Sequence, residues 1–276
     1  MDYGVILVKT YPTWRLGQKL EDIRGNARKR NQTMTTTTRT TKTMMIEIFE
    51  PSLPAIVTAG FAGTYVLMIS VFNMVGRIFW ASMSDFIGRK PTYFIFFSLG
   101  ILLYLSIPFT AKAMSIDPIV TYLILFYAAS MVIFTMYGGG FATIPAYLAD
   151  IFGTKYVGGI HGRLLTAWST AGVLGPVAIT QLRQNSVDSA INDLVSKISP
   201  EKFTEIYGAS VENLSLLVQE KTVTISNLMP HMPEGTINPS TTLYNSTMFA
   251  MAGLLAIAFV ANLLIGPVNE KHHMKE

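Results

Sequence analysis

The chain has 276 residues, half of them hydrophobic and only 14% charged, with a formal net charge of +4 and no cysteine. Soluble domains carry about 25% charged residues, and the absence of thiols excludes disulfides, thiolate metal sites and a cysteine nucleophile. Nine of the 21 Lys and Arg residues lie in the first 42 positions; the remaining 12 basic and 14 acidic residues leave the body at −2, so the positive balance belongs to a tail and makes no case for nucleic-acid binding.

That tail, residues 1–43, includes the basic, Thr-rich stretch "RKRNQTMTTTTRTTK", a composition too polar to build a core and expected to be disordered. Its longest apolar run, Val5 to Val8, is too short for the hydrophobic region of a secretory signal.

Beyond it the charge-free intervals set the plan. Glu50 and Arg77 enclose 26 residues, Lys90 and Lys112 21, Asp117 and Asp150 32, Arg163 and Arg183 19, Glu234 and Glu270 35. A membrane helix needs about 20 apolar residues. Period-2 alternation is absent, which argues against strands. The expected fold is an all-α integral membrane protein with five transmembrane helices, over 54–81, 92–111, 118–142, 164–182 and 246–267.

Basic residues in short loops orient such helices. Arg89 and Lys90 follow the first span, Lys155 and Arg163 the third, and Lys271 and Lys275 the last. That face is expected to be cytoplasmic, with residues 269–276 as a cytoplasmic tail. The long segment 183–245 then lies outside. It contains the sequons Asn213-Leu-Ser and Asn245-Ser-Thr. Asn245 sits at the membrane edge, where glycosylation is not expected, and Asn238-Pro-Ser is excluded by its proline. Within the segment Ile191, Leu194, Val195 and Ile198 share one helix face. Ser199-Pro200-Glu201 reads as an N-cap followed by proline at the first helical position. Two or three short amphipathic helices are expected over the outer mouth.

The densest chemistry is in "NMVGRIFWASMSDFIGRK", residues 73–90. Arg77 stands seven residues before Ser84, roughly 10 Å back from the surface at 1.5 Å per residue. A charge at that depth needs a cavity or a partner. Arg77 is therefore either a snorkelling side chain or an anion anchor whose planar fork suits a carboxylate. Gly88 permits a tight turn, and Asp85 is placed to pair with Arg89 or with a neighbouring helix end. The other reading of this loop is an ordinary basic connection with a stray aspartate.

The run Gly138-Gly139-Gly140 lacks the Lys-Ser/Thr of a phosphate loop and reads as close helix packing or a bend. Gly172 and Gly175-Pro176 read as a flexible point or as packing glycines. Tyr65, Thr166, Trp168 and Gln181 either line a pathway or face lipid and neighbouring helices. His161, His272 and His273 form no metal-ligand set. No catalytic residues, metal site or cofactor are expected, and a membrane-enzyme reading has no residues to support it.

"GRIFWASMSDFIGRK" resembles the loop motif Gly-x-x-x-Asp-x-x-Gly-Arg-Lys of the major facilitator superfamily, with Ala81 in place of the first glycine. The stretches at 138–176 and 241–268 resemble the oxalate/formate antiporter family within it, which is related to the monocarboxylate transporters. The resemblance runs from about Met44 to the C-terminus. It implies helices eight to twelve of a twelve-helix secondary transporter that works by alternating access, with Asp85, Gly88, Arg89 and Lys90 as a conformational gate motif. It aligns Arg77 with an arginine that binds the substrate carboxylate, and Asn73 with an acidic position. Substrate-binding candidates are Arg77, Asn73, Tyr65 and Trp168. Oxalate carriers place a lysine in the eleventh helix; 164–182 has none, so a small monocarboxylate or similar organic anion is expected.

Five spans would put the basic N-terminus opposite the C-terminus, against the orientation trend. The alternative to a transporter is therefore a truncated, transport-inactive fragment, either a misjoined gene product or a partner-dependent subunit. Expected partners are the organic anion, the lipid bilayer, and the missing N-terminal half or another subunit; the expected location is the plasma membrane.

Overall fold

The computed structural model describes residues 41–266 and 268, so the basic tail up to residue 40 and the C-terminal histidines and lysines fall outside the described residues. Contacts divide the chain after Thr41, and the helical bundle belongs to the unit that begins at Lys42. Among the described residues there are helices and turns and no strand.

Residues 42–49 are helical (α1). A turn over 50–58 ends at Thr58, whose Oγ1 accepts a hydrogen bond from the Phe61 amide at 3.3 Å and caps α2, Ala59–Ile87. The expected start at residue 54 is displaced because Pro51 and Pro54 sit in that turn. Gly88 then separates α2 from α3, Arg89–Ile116, with φ +88° and ψ 158°. Only glycine adopts that backbone without strain, which is why one residue suffices for the reversal. α4 spans Val120–Phe152 and stops at Gly153, φ +78°. α5 runs unbroken over Val157–Val195, through Pro176.

Then come α6, Pro200–Tyr207, capped by Ser199, a 3-10 turn at Val211–Asn213, α7, Leu214–Gln219, and α8, Ile225–Leu228. 3-10 turns at Met229–His231 and Pro239–Thr242 lead to α9, Asn245–Leu264.

Four of these stretches are long and apolar enough to cross a membrane: Ala59–Ile87, Arg89–Ile116, Val120–Phe152 and Pro239–Leu264. At 1.5 Å per residue the first three reach roughly 40–50 Å, beyond the ~30 Å hydrocarbon core, so their ends project from it. Asp85, Lys112 and Asp150 lie in those ends, and helix continues past them. Large apolar side chains face outward along the spans, Ile78 and Phe109 each 71% exposed. Such a surface suits lipid and would be a liability in water. The stretch expected as the fourth span, 164–182, lies inside α5. It falls short of the same measure because Thr166, Ser169, Thr170, Thr180 and Gln181 dilute it.

Two close helix contacts organise the bundle. A Cβ on Gly76 would overlap the Thr135 backbone, and one on Gly138 would overlap the Asn73 backbone, so α2 and α4 meet main chain to main chain. α3 and α9 pack through Gly100 beneath the Leu255 side chain and Phe94 against Phe259, 4.9 Å between ring centroids. The main core lies where α2 begins and α5 ends. It combines Met45 and Phe49 of α1 with Tyr65, Phe126, Leu194 and Ile198, and with Phe203 and Leu228 of the short helices. The face made by Ile191, Leu194, Val195 and Ile198 is buried, but its first three residues extend α5 instead of starting a helix of their own.

Candidate functional site

The buried stripe of α2 is Ala62, Tyr65, Ile69, Asn73, Gly76, Trp80 and Ser84, a helical spacing turned toward α4. Arg77 lies beside this stripe at the level of the Gly76–Thr135 contact, and it is exposed. Among the described residues it forms no ion pair or hydrogen bond. Its charge reaches the Tyr137 side chain of α4. Tyr137 in turn lies 5.6 Å from Trp168 of α5, and Phe141 meets Trp168 edge-on at 4.1 Å. Two rings on α4 and an indole on α5 thus pack together, with Arg77 of α2 near enough to Tyr137 to act on it electrostatically.

Asn73, one turn before Arg77, is buried, and its backbone bears on Gly138. Tyr65 lies apart from the others. It is fully buried between Phe126 and Tyr127, with its hydroxyl near Ser130. Twelve residues separate it from Arg77, roughly 18 Å along the helix. Sequence reasoning misses Tyr137 and Phe141. They flank the glycine run that brings α4 onto α2, and that run is the signal that this part of α4 lies close to α2.

The second cluster is at the Gly88 turn. Arg89 pairs with Asp85 one turn before it, hydrogen-bonds Ser84, and lies 3.8 Å from Asp150 at the end of α4. Lys90 donates to the carbonyls of Leu263 and Ile265 at 3.0 and 2.6 Å, satisfying the C-terminal end of α9. The Asn262 side chain donates to the Lys90 carbonyl at 3.3 Å and accepts from the Tyr147 hydroxyl at 2.9 Å. The Val268 amide donates to the Ile151 carbonyl at 3.2 Å. Four helix ends therefore meet on one face, and the basic residues used for orientation at 89–90 sit there together.

A third cluster closes the opposite end. Arg183 donates from Nε and Nη2 to the two carboxylate oxygens of Glu47, at 2.9 and 2.5 Å. It also donates to the Tyr244 hydroxyl at 3.1 Å, which donates to Glu47 at 2.6 Å. Hydrogen bonding to Glu47, larger than the opposing effect of burial, raises the guanidinium above its already high pKa, so Arg183 stays charged and committed to this partner.

An apolar groove of about 490 Å³ lies elsewhere, between Phe61 and Phe72 of α2 and Ile124, Met131 and Val132 of α4. Its walls offer nothing to hold an anion. Among the described residues no three His, Asp or Glu side chains are grouped to hold a metal.

The long apolar helices and their lipid-suited surface are those of an all-α integral membrane protein. In sequence the chain is similar to the oxalate:formate antiporter of Oxalobacter formigenes, 29% identical over 117 residues, which is 41% of this chain and 26% of the antiporter. The match thus spans about a quarter of that relative's length, and it points to a transporter. No family model and no solved structure matches the chain.

Proposed function

We propose that the chain is part of a secondary transporter of the major facilitator type that carries a small organic monocarboxylate by alternating access. The observation that supports this best is Arg77: a guanidinium inside an apolar helix, without an ion-pair partner among the described residues, near Tyr137 of α4, whose ring packs against Trp168 of α5. An arginine fork binds a carboxylate in two parallel hydrogen bonds, and the rings exclude water and give the body of the substrate an apolar wall. The proposed binding set is Arg77, Asn73 and Trp168, joined by Tyr137 and Phe141, with Tyr65 outside it.

The antiporter's name pairs a dianion with a monoanion. A dianion would need a second cation. Arg183 is held by Glu47, and 164–182 has no basic residue. A formate-like or larger monocarboxylate fits better. α5 is read as a fifth span whose polar residues face the pathway and the rest of the carrier. The Asp85–Arg89–Asp150 cluster is read as a gate on the cytoplasmic face, with the C-terminus on that side and the short helices α6 to α8 outside. The location is read as the plasma membrane.

The test is uptake of radiolabelled formate and of longer monocarboxylates into vesicles containing the chain. Hydrogen bonds to a charged group contribute about 1.5–3 kcal/mol, so Arg77→Ala is expected to lower uptake roughly 10- to 100-fold. Unchanged uptake in that variant would remove Arg77 from the site. Absence of uptake by the native chain alone, restored by a co-expressed partner, would favour a partner-dependent subunit.

A further inference from the structure

Residues 196–243 hold no part of the proposed transport site, yet they fold into a defined cap, and one of the two sequons of segment 183–245 lies on its surface. Asn213 ends the 3-10 turn Val211–Asn213 and precedes α7. Its side chain makes no capping bond, and it is exposed, as is Ser215, the hydroxyl residue of the sequon. α7 buries none of its residues. Leu216, three positions on and on the same side of the helix, is 57% exposed. The acceptor amide, its recognition hydroxyl and an uncovered apolar side chain are thus all exposed at the start of α7.

The other sequon is placed differently. Asn245 is the first residue of α9 and is half-buried, while its hydroxyl partner Thr247 is 3% exposed. Tyr244, beside it, belongs to the Glu47–Arg183 cluster. A bulky hydrophilic glycan at Asn245 would stand at the lipid boundary and disturb both contacts.

We propose that Asn213 is an N-glycosylation site and Asn245 is not. The reaction would join the Asn213 amide nitrogen to the anomeric carbon of an oligosaccharide carried on a lipid diphosphate. The carbon–oxygen bond to the diphosphate breaks, the lipid diphosphate leaves with the bonding pair, and the amide nitrogen loses one proton to the transferase. No oxidation or reduction occurs. Transfer takes place while the chain is being translocated, so the folded state decides which glycan can be accommodated. At Asn213 no packed contact has to move, and the glycan covers Leu216. The inference rests on the reading that the cap lies on the non-cytoplasmic side.

The full chain, carrying Asn31→Gln to remove the further sequon Asn31-Gln-Thr of the N-terminal tail, is expressed in a eukaryotic host, treated with peptide-N-glycosidase F and blotted. One single-step mobility shift is expected, abolished in Asn213→Gln and in Ser215→Ala and kept in Asn245→Gln. A shift that survives Asn213→Gln, or one abolished by Asn245→Gln, overturns the proposal. Because the chain has no cysteine, Glu220→Cys on the exposed end of α7 reports the side of the membrane through an impermeant maleimide. No shift with labelling from outside overturns the glycosylation site and leaves the topology standing. No shift with labelling only after permeabilisation overturns both.

Discussion

α4 and α5 are consecutive helices, the first almost wholly apolar and the second diluted by polar and charged residues, and they are buried to very different degrees. α4 has twelve buried residues spread along its length, while α5, six residues longer, has three, all in its last turns. The difference lies in small residues placed at the right height. Gly138 lets the α2 backbone touch α4, and Gly139 sits beneath Trp80, whereas a Cβ on Gly158, Gly159, Gly162 or Gly175 of α5 would meet nothing within 4 Å. In lipid, apolar side chains gain little by leaving one apolar neighbour for another, so helix association depends on close packing and polar contacts. α4 has both kinds of contact on α2. α5 is held by aromatic contacts at Trp168, by the Arg183 cluster and by its buried C-terminal turns, and its middle is left uncovered.

The contrast can be broken most sharply at the glycines. Gly138→Leu should exceed the ~1–3 kcal/mol typical of overpacking, because it strikes backbone and no flexible side chain can yield. Thermal unfolding in detergent should show a strongly destabilised or absent native state. Gly175→Ala on α5 should leave the midpoint unchanged or slightly raised, since alanine favours helix by about 1 kcal/mol. Equal losses at both positions would end the distinction between the two helices.

A smaller effect is expected at the Arg183 cluster. Its members are roughly one-third exposed, so removing one partner should cost about 1–2 kcal/mol, below the 3–5 of a fully buried pair. Arg183→Ala should therefore lower the unfolding midpoint modestly. In a double-mutant cycle with Glu47→Gln the two losses should fail to add; simple additivity would show that the contact contributes nothing. Smallest of all is Trp168→Leu, at a position 39% exposed where leucine keeps part of the apolar contact with Tyr137 and Phe141, so at most about 0.5–1.5 kcal/mol of ring-specific attraction is lost. Its midpoint should hardly move while monocarboxylate uptake falls; the reverse pattern would make the indole a packing residue only.

Legibility in the sequence tracks the range of each interaction. Apolar intervals locate the helices, yet the bounds they set are short: Arg77 and Asp150 end the first and third charge-free intervals, while helix runs on to Gly88 and Gly153. Charge ends a membrane interval, but only a backbone signal ends a helix. Ser199-Pro200 does mark the start of α6, because a cap is a contact between neighbours in sequence. The site is half visible. Arg77 and Trp168 stand out by type, while Tyr137 and Phe141 look like any aromatic residue in an apolar span; for Tyr65, the twelve-residue spacing from Arg77 already implies a separation of roughly 18 Å along one helix.

By itself, then, the sequence determined what depends on composition and on short spacing: an all-α membrane protein, the reversal at Gly88, the cap at Ser199, and an arginine set within the first apolar helix. The tertiary structure alone decided which helices touch, that Arg89 and Lys90 tie α2, α3, α4 and α9 at one face, and that Glu47, Arg183 and Tyr244 meet across 61 to 197 residues of chain. Those contacts depend on where glycines let backbones approach, a three-dimensional condition that no local stretch of residues encodes.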